Sequence, residues 1–408
     1  MKFALWVISC LIWPVLSIFV FPLTYLVPFL IQRRLFEQNF DAAPVTSDVC
    51  FHVASYGELE QVLPLLEWYL LRQKNVQLIY TSPSVHGRVL KLKTTYPDHL
   101  WVLPLPLVIF FPWKTNSPQR WIRSPLFFFC RYDFYPHLLW SVFKDRTRKV
   151  ILLQAVAKSS FIMQLLYRQF HLLTPATNNQ RERFLQLPTK LNISPAMDFR
   201  QLQIAKRLSL SAQVLSQYYP QFAFNAHRLV AGSVWPEDLI CLNAFLKQAR
   251  NYHSFQLLVF PHELKQLNFW CQAFPQDYQV CLLSRDGIGS PSSHQVIIVD
   301  IMGILCESYQ LAPAAYVGGG FGKSVHSVLE PWMSGCQVFI GPEHQRSLEV
   351  EWVHEMAPQN LCCYSDPQEL AREMNLFFSN SINTYLATYR LDESLQLDEY
   401  ISMLEELR

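Results

Sequence analysis

The sequence predicts an α/β protein with two domains, each a parallel sheet wrapped by helices, preceded by an apolar N-terminal helix. The chain has 408 residues, half of them hydrophobic, which is enough to bury two sizeable cores. Short apolar runs alternate with amphipathic helical runs along most of the chain, as is typical of doubly wound sheets. The alternation is lost once, between about residues 186 and 226, which indicates a boundary between two domains.

The N-terminal stretch from Phe3 to Ile31 contains no charged residue. It is longer than the roughly 20 apolar residues that a helix needs to cross a bilayer core. Arg33 and Arg34 follow directly, and this positive flank favours a cytoplasmic location for the rest of the chain. There is no small-residue cleavage site of the kind that ends a removed signal peptide. Three prolines interrupt the stretch, so a spanning anchor, an interfacial anchor and a buried helix of the globular part all remain open.

The first domain is expected at residues 35–205, after an anchor at 1–34. Its strand-like runs are VCFHVAS, VQLIYTS, LWVLPLPL, KVILLQAVA and HLLTPAT, and its helical runs include ELEQVLPLLEWYLLRQ and GRVLKLKTTY. A linker is expected at 206–225, and a second domain at 226–408 has the runs RLVAGSVW, FQLLVFPH, YQVCLLS, QVIIVDI, AAYVGGGF and CQVFIGP. Two such domains are expected to face a cleft, with ligands at the carboxyl ends of the strands.

The composition indicates contact with a membrane. Charged residues make up 16% of the chain, below the usual 25% or so, while aromatic residues reach 14% and the net charge is only +2. Basic residues outnumber acidic ones between Arg88 and Lys149, where they are interleaved with apolar runs. That mixture suits an anionic lipid or a bilayer surface, although core strands flanked by solvated charges would produce it too. A nucleic-acid partner is disfavoured because no recognised binding module accompanies the basic residues.

The ten cysteines predict neither a disulfide framework nor a metal site. They are scattered, without a C-x-x-C pair, and a cytoplasmic protein keeps its thiols reduced. The spacing that zinc ligation requires is missing, so no metal is expected.

Residues 318–331, GGGFGKSVHSVLEP, follow the strand-like run AAYV and predict a strand, a tight turn and a helix. Glycines allow the main chain to approach a ligand, and free N–H groups at a helix start favour an anion. His326 and Glu330 are four residues apart and would share one face of that helix. A tight connection without a ligand explains the glycines equally well.

Two acidic residues occupy positions where an α/β protein places functional groups. Glu58 follows Gly57 at the turn between a strand and a helix, and Asp133 precedes a helical run. A carboxylate at a helix start is also a common partner of the helix dipole. For Asp133 the simpler interpretation is a helix cap or a partner for Arg131.

Six segments, in this order, resemble the landmarks of one enzyme family. The segments are ASYGELEQVLPLLE, YTSPSVHGR, YDFYPHLL, VAGSVWPED, VFPHEL and DIMGILCESYQLAPAAYVGGGFGKSVHSVLEPWMSGCQVFIGP. Together they are similar to the lipid A Kdo transferases, which transfer 3-deoxy-D-manno-octulosonic acid (Kdo). The resemblance covers nearly the whole chain, the N-terminal anchor included.

The resemblance implies two Rossmann-like domains of the GT-B glycosyltransferase type, anchored to the cytoplasmic face of the bacterial inner membrane. Such enzymes act in lipopolysaccharide biosynthesis and move Kdo from CMP-Kdo to a lipid A precursor, inverting the anomeric centre without a metal or another cofactor. Glu58 falls on the general base of the family. The expected acceptor-binding residues are Ser55, Gly57, Arg88 and Asp133. The expected donor-binding residues are His262, Lys265, Gly303, Gly318, Gly319, Gly320, Lys323, His326, Ser327 and Glu330.

The chain departs from the family pattern at a few of these positions. Asp133 stands where glutamate is commoner, and Pro261 stands where an arginine usually precedes the histidine, so Lys265 is a candidate for the missing charge. Ile304 and Ser327 replace the glutamate and the asparagine of two further motifs. These changes concern the phosphate and base contacts.

Two other functions remain open. One is a protein of the same shape that binds a nucleotide sugar or a lipid without transferring anything. The other is a sugar-nucleotide epimerase, which would have no use for the anchor. The intact Gly57 and Glu58 pair favours the transferase.

Overall fold

The computed structural model describes residues 1–131, 133–218, 224–252, 254–286, 294–345, 347–380 and 393–406. They form two compact units. The first comprises Met1–Gln203 and Ser394–Arg408, and the second comprises Ile204–Glu393.

Within the described residues, the first unit contains a six-stranded parallel sheet of order β3-β2-β1-β4-β5-β6. The strands are β1 (Val49–Val53), β2 (Val76–Tyr80), β3 (Leu100–Pro104), β4 (Leu126–Cys130), β5 (Lys149–Ala155) and β6 (Leu172–Pro175). The helices are α1 (Lys2–Val7), α2 (Trp13–Leu23), α3 (Pro28–Glu37), α4 (Tyr56–Leu71), α5 (His86–Thr95), α6 (Pro118–Trp121), α7 (Pro136–Phe143), α8 (Phe161–Tyr167) and α9 (Asn178–Leu185).

The second unit contains a seven-stranded parallel sheet of order β13-β12-β11-β7-β8-β10-β9, again within the described residues. The strands are β7 (Arg228–Val234), β8 (Gln256–Pro261), β9 (Gln279–Leu282), β10 (Gln295–Ile298), β11 (Ala314–Val317), β12 (Gln337–Ile340) and β13 (Leu361–Cys363). Helix α10 (Phe199–Ser209) spans the boundary between the units. The described helices that follow it are α11 (Ser211–Tyr218), α12 (Leu239–Ala249), α13 (Leu267–Gln272), α14 (Leu283–Asp286), α15 (Leu305–Ser308), α16 (Leu329–Met333), α17 (Leu348–Met356), α18 (Pro367–Asn380) and α19 (Glu393–Glu406).

The prediction of two parallel α/β domains is confirmed, and the burial of the strands shows why the sequence predicted it. Every residue of β1 is buried, as is every residue of β8. Helices cover both faces of each sheet, so these strands appear as continuous apolar runs and do not alternate with polar residues.

The limits of the units differ from the predicted domain limits at two places. The region expected to be a linker at 206–225 contains the end of α10 and all of α11, and Ile204 of α10 lies in a buried cluster of the second unit. The C-terminal helix α19 packs on the first unit, where the hydroxyl of Tyr400 lies 2.7 Å from that of Thr174. Chain order alone would assign α19 to the second unit. Its assignment to the first unit depends on contacts with residues far away in the sequence.

The N-terminal residues Lys2–Leu23 form one apolar helix, made of α1, a π-helical turn at Ile8–Ile12, and α2. Its length of 22 residues and its mean hydropathy of 2.4 are sufficient to cross a membrane. Only 22% of its most apolar 18-residue segment is buried in the protein, so most of the helix is exposed. It is therefore a candidate membrane anchor.

Candidate active site

Glu58 lies at the start of α4, directly after β1. The side chain of Ser55 caps this helix, since its Oγ accepts the N–H of Glu58 at 3.3 Å. The Oε2 atom of Glu58 in turn accepts the N–H of Ala54 at 2.6 Å. These two hydrogen bonds hold the carboxyl group, which is buried, at the carboxyl edge of the sheet.

Asp133 reaches the same place from the neighbouring strand. β1 and β4 are paired in parallel, so the residues that follow them meet at one edge, and the carboxyl groups of Glu58 and Asp133 lie within hydrogen-bonding range. Burial, with a further contribution from Asp133, raises the pKa of Glu58 to about 8, although the Ala54 N–H and Arg131 oppose the change. The pair therefore holds a proton at neutral pH. Asp133 is not a helix cap, because the N-cap of α7 is Tyr135.

Arg131 is a functional candidate that the sequence analysis considered only as a partner for Asp133. Its backbone has a φ of 57°, a left-handed conformation that is uncommon for a residue with a side chain. Its charge acts on Glu58 and on the neighbouring carboxyl group of Asp198. The available signal was a basic residue placed directly after the apolar strand β4. Strained backbone of this kind is often found at functional sites.

Two other predicted acceptor-binding residues lie close by but differ in their surroundings. Gly57 is exposed, and a Cβ atom added there would meet only the Oγ of Ser55, at 4.0 Å. Nothing in the packing of this unit requires a glycine at that position. Arg88 is paired within the chain, because its Nε lies 3.5 Å from Oε1 of Glu60. The other carboxylate oxygen of Glu60, Oε2, accepts a hydrogen bond from Gln203.

His52 also lines this edge of the sheet, and the sequence analysis missed it. It is buried in β1, and its Nε2 lies 3.1 Å from the Oγ1 of Thr81, which follows β2. Burial, with a smaller contribution from His137, lowers the pKa of His52 to about 3, so the ring is neutral. It can exchange a hydrogen bond here but does not supply a positive charge.

In the second unit, three aromatic rings cluster at the ends of neighbouring strands. Trp235 follows β7, and its ring stacks on His262 with centroids 4.3 Å apart. His262 stacks on His326 at 4.5 Å, and the indole Nε1 of Trp235 donates to Nε2 of His326 at 3.2 Å. The Nζ of Lys323 lies 5.3 Å from the centre of the Trp235 ring. Two predicted donor-binding histidines and a predicted lysine thus meet around a tryptophan that the sequence analysis did not select.

The run of three glycines has an explanation in the packing of the chain itself. A Cβ at Gly318 would lie 2.5 Å from the carbonyl oxygen of Ser233, and one at Gly320 would lie 2.6 Å from the backbone nitrogen of Gly341. Gly319 has a φ of 90°, which only glycine adopts readily, and its N–H donates to Asp238. Close packing of β7, β11 and β12 therefore accounts for these glycines without a ligand.

The prediction of a helix directly after the glycines is wrong. His326 lies in an irregular segment, and α16 begins only at Leu329, so His326 and Glu330 do not share a helix face. The N–H groups of Val328 and Leu329 donate to Oε2 of Glu349, at 3.0 and 3.4 Å. The start of this helix is therefore occupied by a carboxylate of the same unit, and the side chains near Trp235 are better placed to meet an anion.

The remaining predicted donor-binding residues fall in two places. Gly303 and Glu330 lie around Arg207, which donates from Nη2 to the carbonyl of Gly303 at 3.0 Å and forms a bidentate ion pair with Glu307. Glu330 is half-buried and interacts electrostatically with Arg207. Lys265 is exposed on the turn Leu264–Gln266, and Ser327 is half-buried beside His326.

Comparison with solved structures gives the class of the fold. A UDP-GlcNAc 2-epimerase from Neisseria meningitidis is similar over 87% of this chain and all of its own, with a TM-score of 0.58 at 10% identity. A glycosyltransferase from Rickettsia africae is similar over 89% of this chain and 99% of its own, with a TM-score of 0.57 at 11% identity. The two parallel α/β units therefore have the GT-B fold.

Comparison with related sequences identifies the enzyme family that this chain resembles. A family model described as 3-deoxy-D-manno-octulosonic-acid transferase (kdotransferase) matches residues 31–200. The 3-deoxy-D-manno-octulosonic acid transferase of Aquifex aeolicus is 27% identical over 71% of this chain and 75% of its own length. That of Chlamydophila psittaci is 24% identical over 72% of this chain and 69% of its own. The resemblance to the Kdo transferases is confirmed.

Proposed function

We propose that the protein is an inverting glycosyltransferase that moves Kdo from CMP-Kdo to a lipid A precursor. The observation that carries the proposal is the Glu58 carboxyl group, buried at the end of β1 and paired with Asp133. A helix cap needs no second carboxyl group beside it. A buried acid with a pKa near neutrality is suited to proton transfer.

In the proposed reaction, a hydroxyl group of the acceptor attacks the anomeric carbon of Kdo. The new C–O bond forms as the bond to the CMP phosphate breaks, and CMP leaves with the bonding electron pair. The proton of the hydroxyl group passes to Glu58 once the Glu58 and Asp133 pair has lost the proton that it holds at neutral pH. Arg131 favours that loss, because its charge stabilises the ionised form of Glu58.

The donor is proposed to bind in the second unit around Trp235, His262, His326 and Lys323. The rings offer flat faces to a base or ribose, and Lys323 offers a positive charge to the phosphate. Glu330 is proposed to accept hydrogen bonds from the ribose hydroxyl groups. No step in this scheme requires a metal ion.

The proposed location is the cytoplasmic face of the bacterial inner membrane. The apolar helix Lys2–Leu23 supports membrane attachment, and an acylated acceptor is itself a membrane component. Basic residues between Arg88 and Lys149 would favour the phosphates of such a lipid.

The test is incubation of the purified full-length chain with CMP-Kdo and a lipid A precursor, followed by mass analysis of the lipid. The expected product is heavier by one or more Kdo residues, and release of CMP should match the Kdo transferred. Glu58→Gln is the control, because the glutamine oxygen can still accept the Ala54 N–H. Release of CMP without a heavier lipid, or no reaction with any acylated disaccharide, would contradict the proposal.

A further inference from the structure

The N-terminal helix Lys2–Leu23 is held by the first unit near both of its ends. At one end, Leu5 lies in the buried core of that unit. Ten residues beyond the other end, Arg33 of the following helix α3 is buried and donates to the carbonyls of Thr81 at 2.6 Å and Leu105 at 2.8 Å. Within the helix, Leu5 near its start and Ser17 toward its end, whose Oγ accepts the N–H of Phe110, both contact this unit. A helix held to one globular unit in this way cannot place its two ends on opposite sides of a bilayer while the unit stays in water.

The middle of the helix is also attached. Nε2 of Gln119 lies 3.9 Å from the sulfur of Cys10, and the ring of Trp13 stacks on His137 at 5.7 Å. The Oγ of Ser17 accepts the backbone N–H of Phe110 at 2.9 Å. The helix therefore lies against the first unit over most of its length.

The exposed face of this helix is apolar, unlike that of a surface helix in water, while its buried face is mixed. Its buried residues include the polar Ser9 and Ser17 beside Leu5 and Pro14. The opposite face is apolar and exposed, with Phe19 at 72%, and comprises Leu11, Ile12, Val15, Leu16, Ile18, Phe19 and Leu23. A continuous exposed apolar stripe of this length marks contact with a partner.

The charges beside the helix decide which way it meets a membrane. The Nζ of Lys144 donates to the carbonyl of Gln119 at 3.4 Å, and Gln119 contacts Cys10 in the middle of the helix. If the docked helix crossed a bilayer, this lysine and Gln119 would lie near the hydrocarbon centre, where a charge is unfavourable. At the interface the same groups would meet headgroups.

We propose that the helix Lys2–Leu23 lies in the plane of the membrane interface, with its outward face in the acyl chains, and does not cross the bilayer. The partner is a phospholipid surface. The loop that carries Phe110 adds the exposed Trp113 and the basic Lys114, a pair of residue types that is enriched at the headgroup level.

This arrangement has a consequence for the acceptor. Arg33 binds Thr81, which follows β2, and β2 is the neighbour of the strand that leads to Glu58. The helix α3, which follows the membrane-bound helix in the chain, thus contacts the same sheet edge that carries the Glu58 carboxyl group. A lipid acceptor would reach that edge without leaving the membrane surface.

The first test uses the full-length chain with a protease-cleavable tag at each end, reconstituted in sealed vesicles of phosphatidylethanolamine and phosphatidylglycerol. In vesicles whose C-terminal tag is cleaved from outside, we expect the N-terminal tag to be cleaved equally. An N-terminal tag that stays protected until detergent is added overturns the proposal, as does failure of the full chain to bind the vesicles.

The second test asks whether the helix stays docked in the membrane. Gln119→Cys places a thiol beside the native Cys10, and mild oxidation in vesicles should link the two. The same variant combined with Cys10→Ser is the matched control and should show no link. Absence of the link in the single variant overturns docking.

A third readout addresses the outward face. Phe19→Lys should reduce vesicle binding at least tenfold, whereas Ile240→Lys, which changes an exposed apolar residue of the second unit, should not. Equal loss in both variants overturns the assignment of the lipid-facing stripe. None of these measurements involves sugar transfer, so their failure would leave the proposed function standing.

Discussion

The carboxyl group of Glu58 lies within hydrogen-bonding range of that of Asp133, at the ends of two neighbouring strands. Glu58 is buried, and its Oε2 also accepts the N–H of Ala54. Two carboxyl groups this close share a proton, because placing two negative charges together in a buried site is unfavourable. The acid and base behaviour of the site therefore belongs to the pair.

The pair predicts an alkaline rise in activity. Because burial and Asp133 raise the pKa of Glu58 to about 8, the base form is scarce at pH 6 and abundant at pH 9. We expect kcat/KM to increase with pH through an apparent pKa near 8. Asp133→Asn removes the negative charge that contributes to this raised pKa. The rise in kcat/KM of that variant should therefore occur at lower pH. An unchanged midpoint in that variant would show that Asp133 does not act on the titrating group.

Glu58 and Glu330 are predicted to have different roles. Glu58→Gln should lower saturated turnover by about 10²- to 10⁴-fold and leave CMP affinity nearly unchanged, since it removes only the base. Glu330→Gln should weaken CMP binding by about 1.5–3 kcal/mol, the range for a hydrogen bond to a charged group. Calorimetric titration of CMP and saturated rates separate the two effects. Normal turnover by a folded Glu58→Gln protein would leave Glu58 with only a structural role in the first turn of α4.

Substitution by alanine is expected to have opposite effects on stability at Gly57 and at Gly320. Gly57→Ala meets no packing obstacle and should keep or raise stability by up to about 1 kcal/mol, because alanine is the better helix residue. If the acceptor approaches the backbone there, the acceptor KM should rise. Gly320→Ala places a Cβ 2.6 Å from the nitrogen of Gly341 and should destabilise the fold by about 1–3 kcal/mol.

Thermal unfolding and acceptor kinetics on both variants provide the comparison. A Gly57→Ala protein with unchanged stability and unchanged kinetics would exclude close approach of the acceptor at that position. A Gly320→Ala protein as stable as the parent would contradict the packing explanation of the glycine run.

Removal of residues 1–31 is predicted to release the protein from membranes and to leave measurable turnover on a detergent-solubilised acceptor. The structure adds a cost to stability, because the truncation exposes the core around Leu5 and leaves the N–H of Phe110 without Ser17. Its melting temperature should therefore fall relative to that of the full chain in the same detergent. A truncated protein that folds but shows no turnover at any acceptor concentration would mean that these residues contribute to the site itself.

Local sequence patterns determined much of this protein. Apolar runs buried on both faces predicted the strands of both sheets, and the turn after β1 predicted the position of Glu58. The charge-free stretch from Phe3 predicted the N-terminal helix. These features depend on neighbours within a few residues, and the sequence displays such neighbours directly.

Only the tertiary structure decided which residues meet. Asp133 reaches Glu58 because β4 pairs with β1, although β2 and β3 intervene in the chain. Trp235 joins His262 and His326 because β7 lies between β11 and β8. The apolar N-terminal stretch was equally compatible with spanning and with lying flat, and its contacts with Gln119, His137 and Phe110 favour the second. Strand order and helix docking are long-range contacts, and a local pattern does not encode which distant segment it will meet.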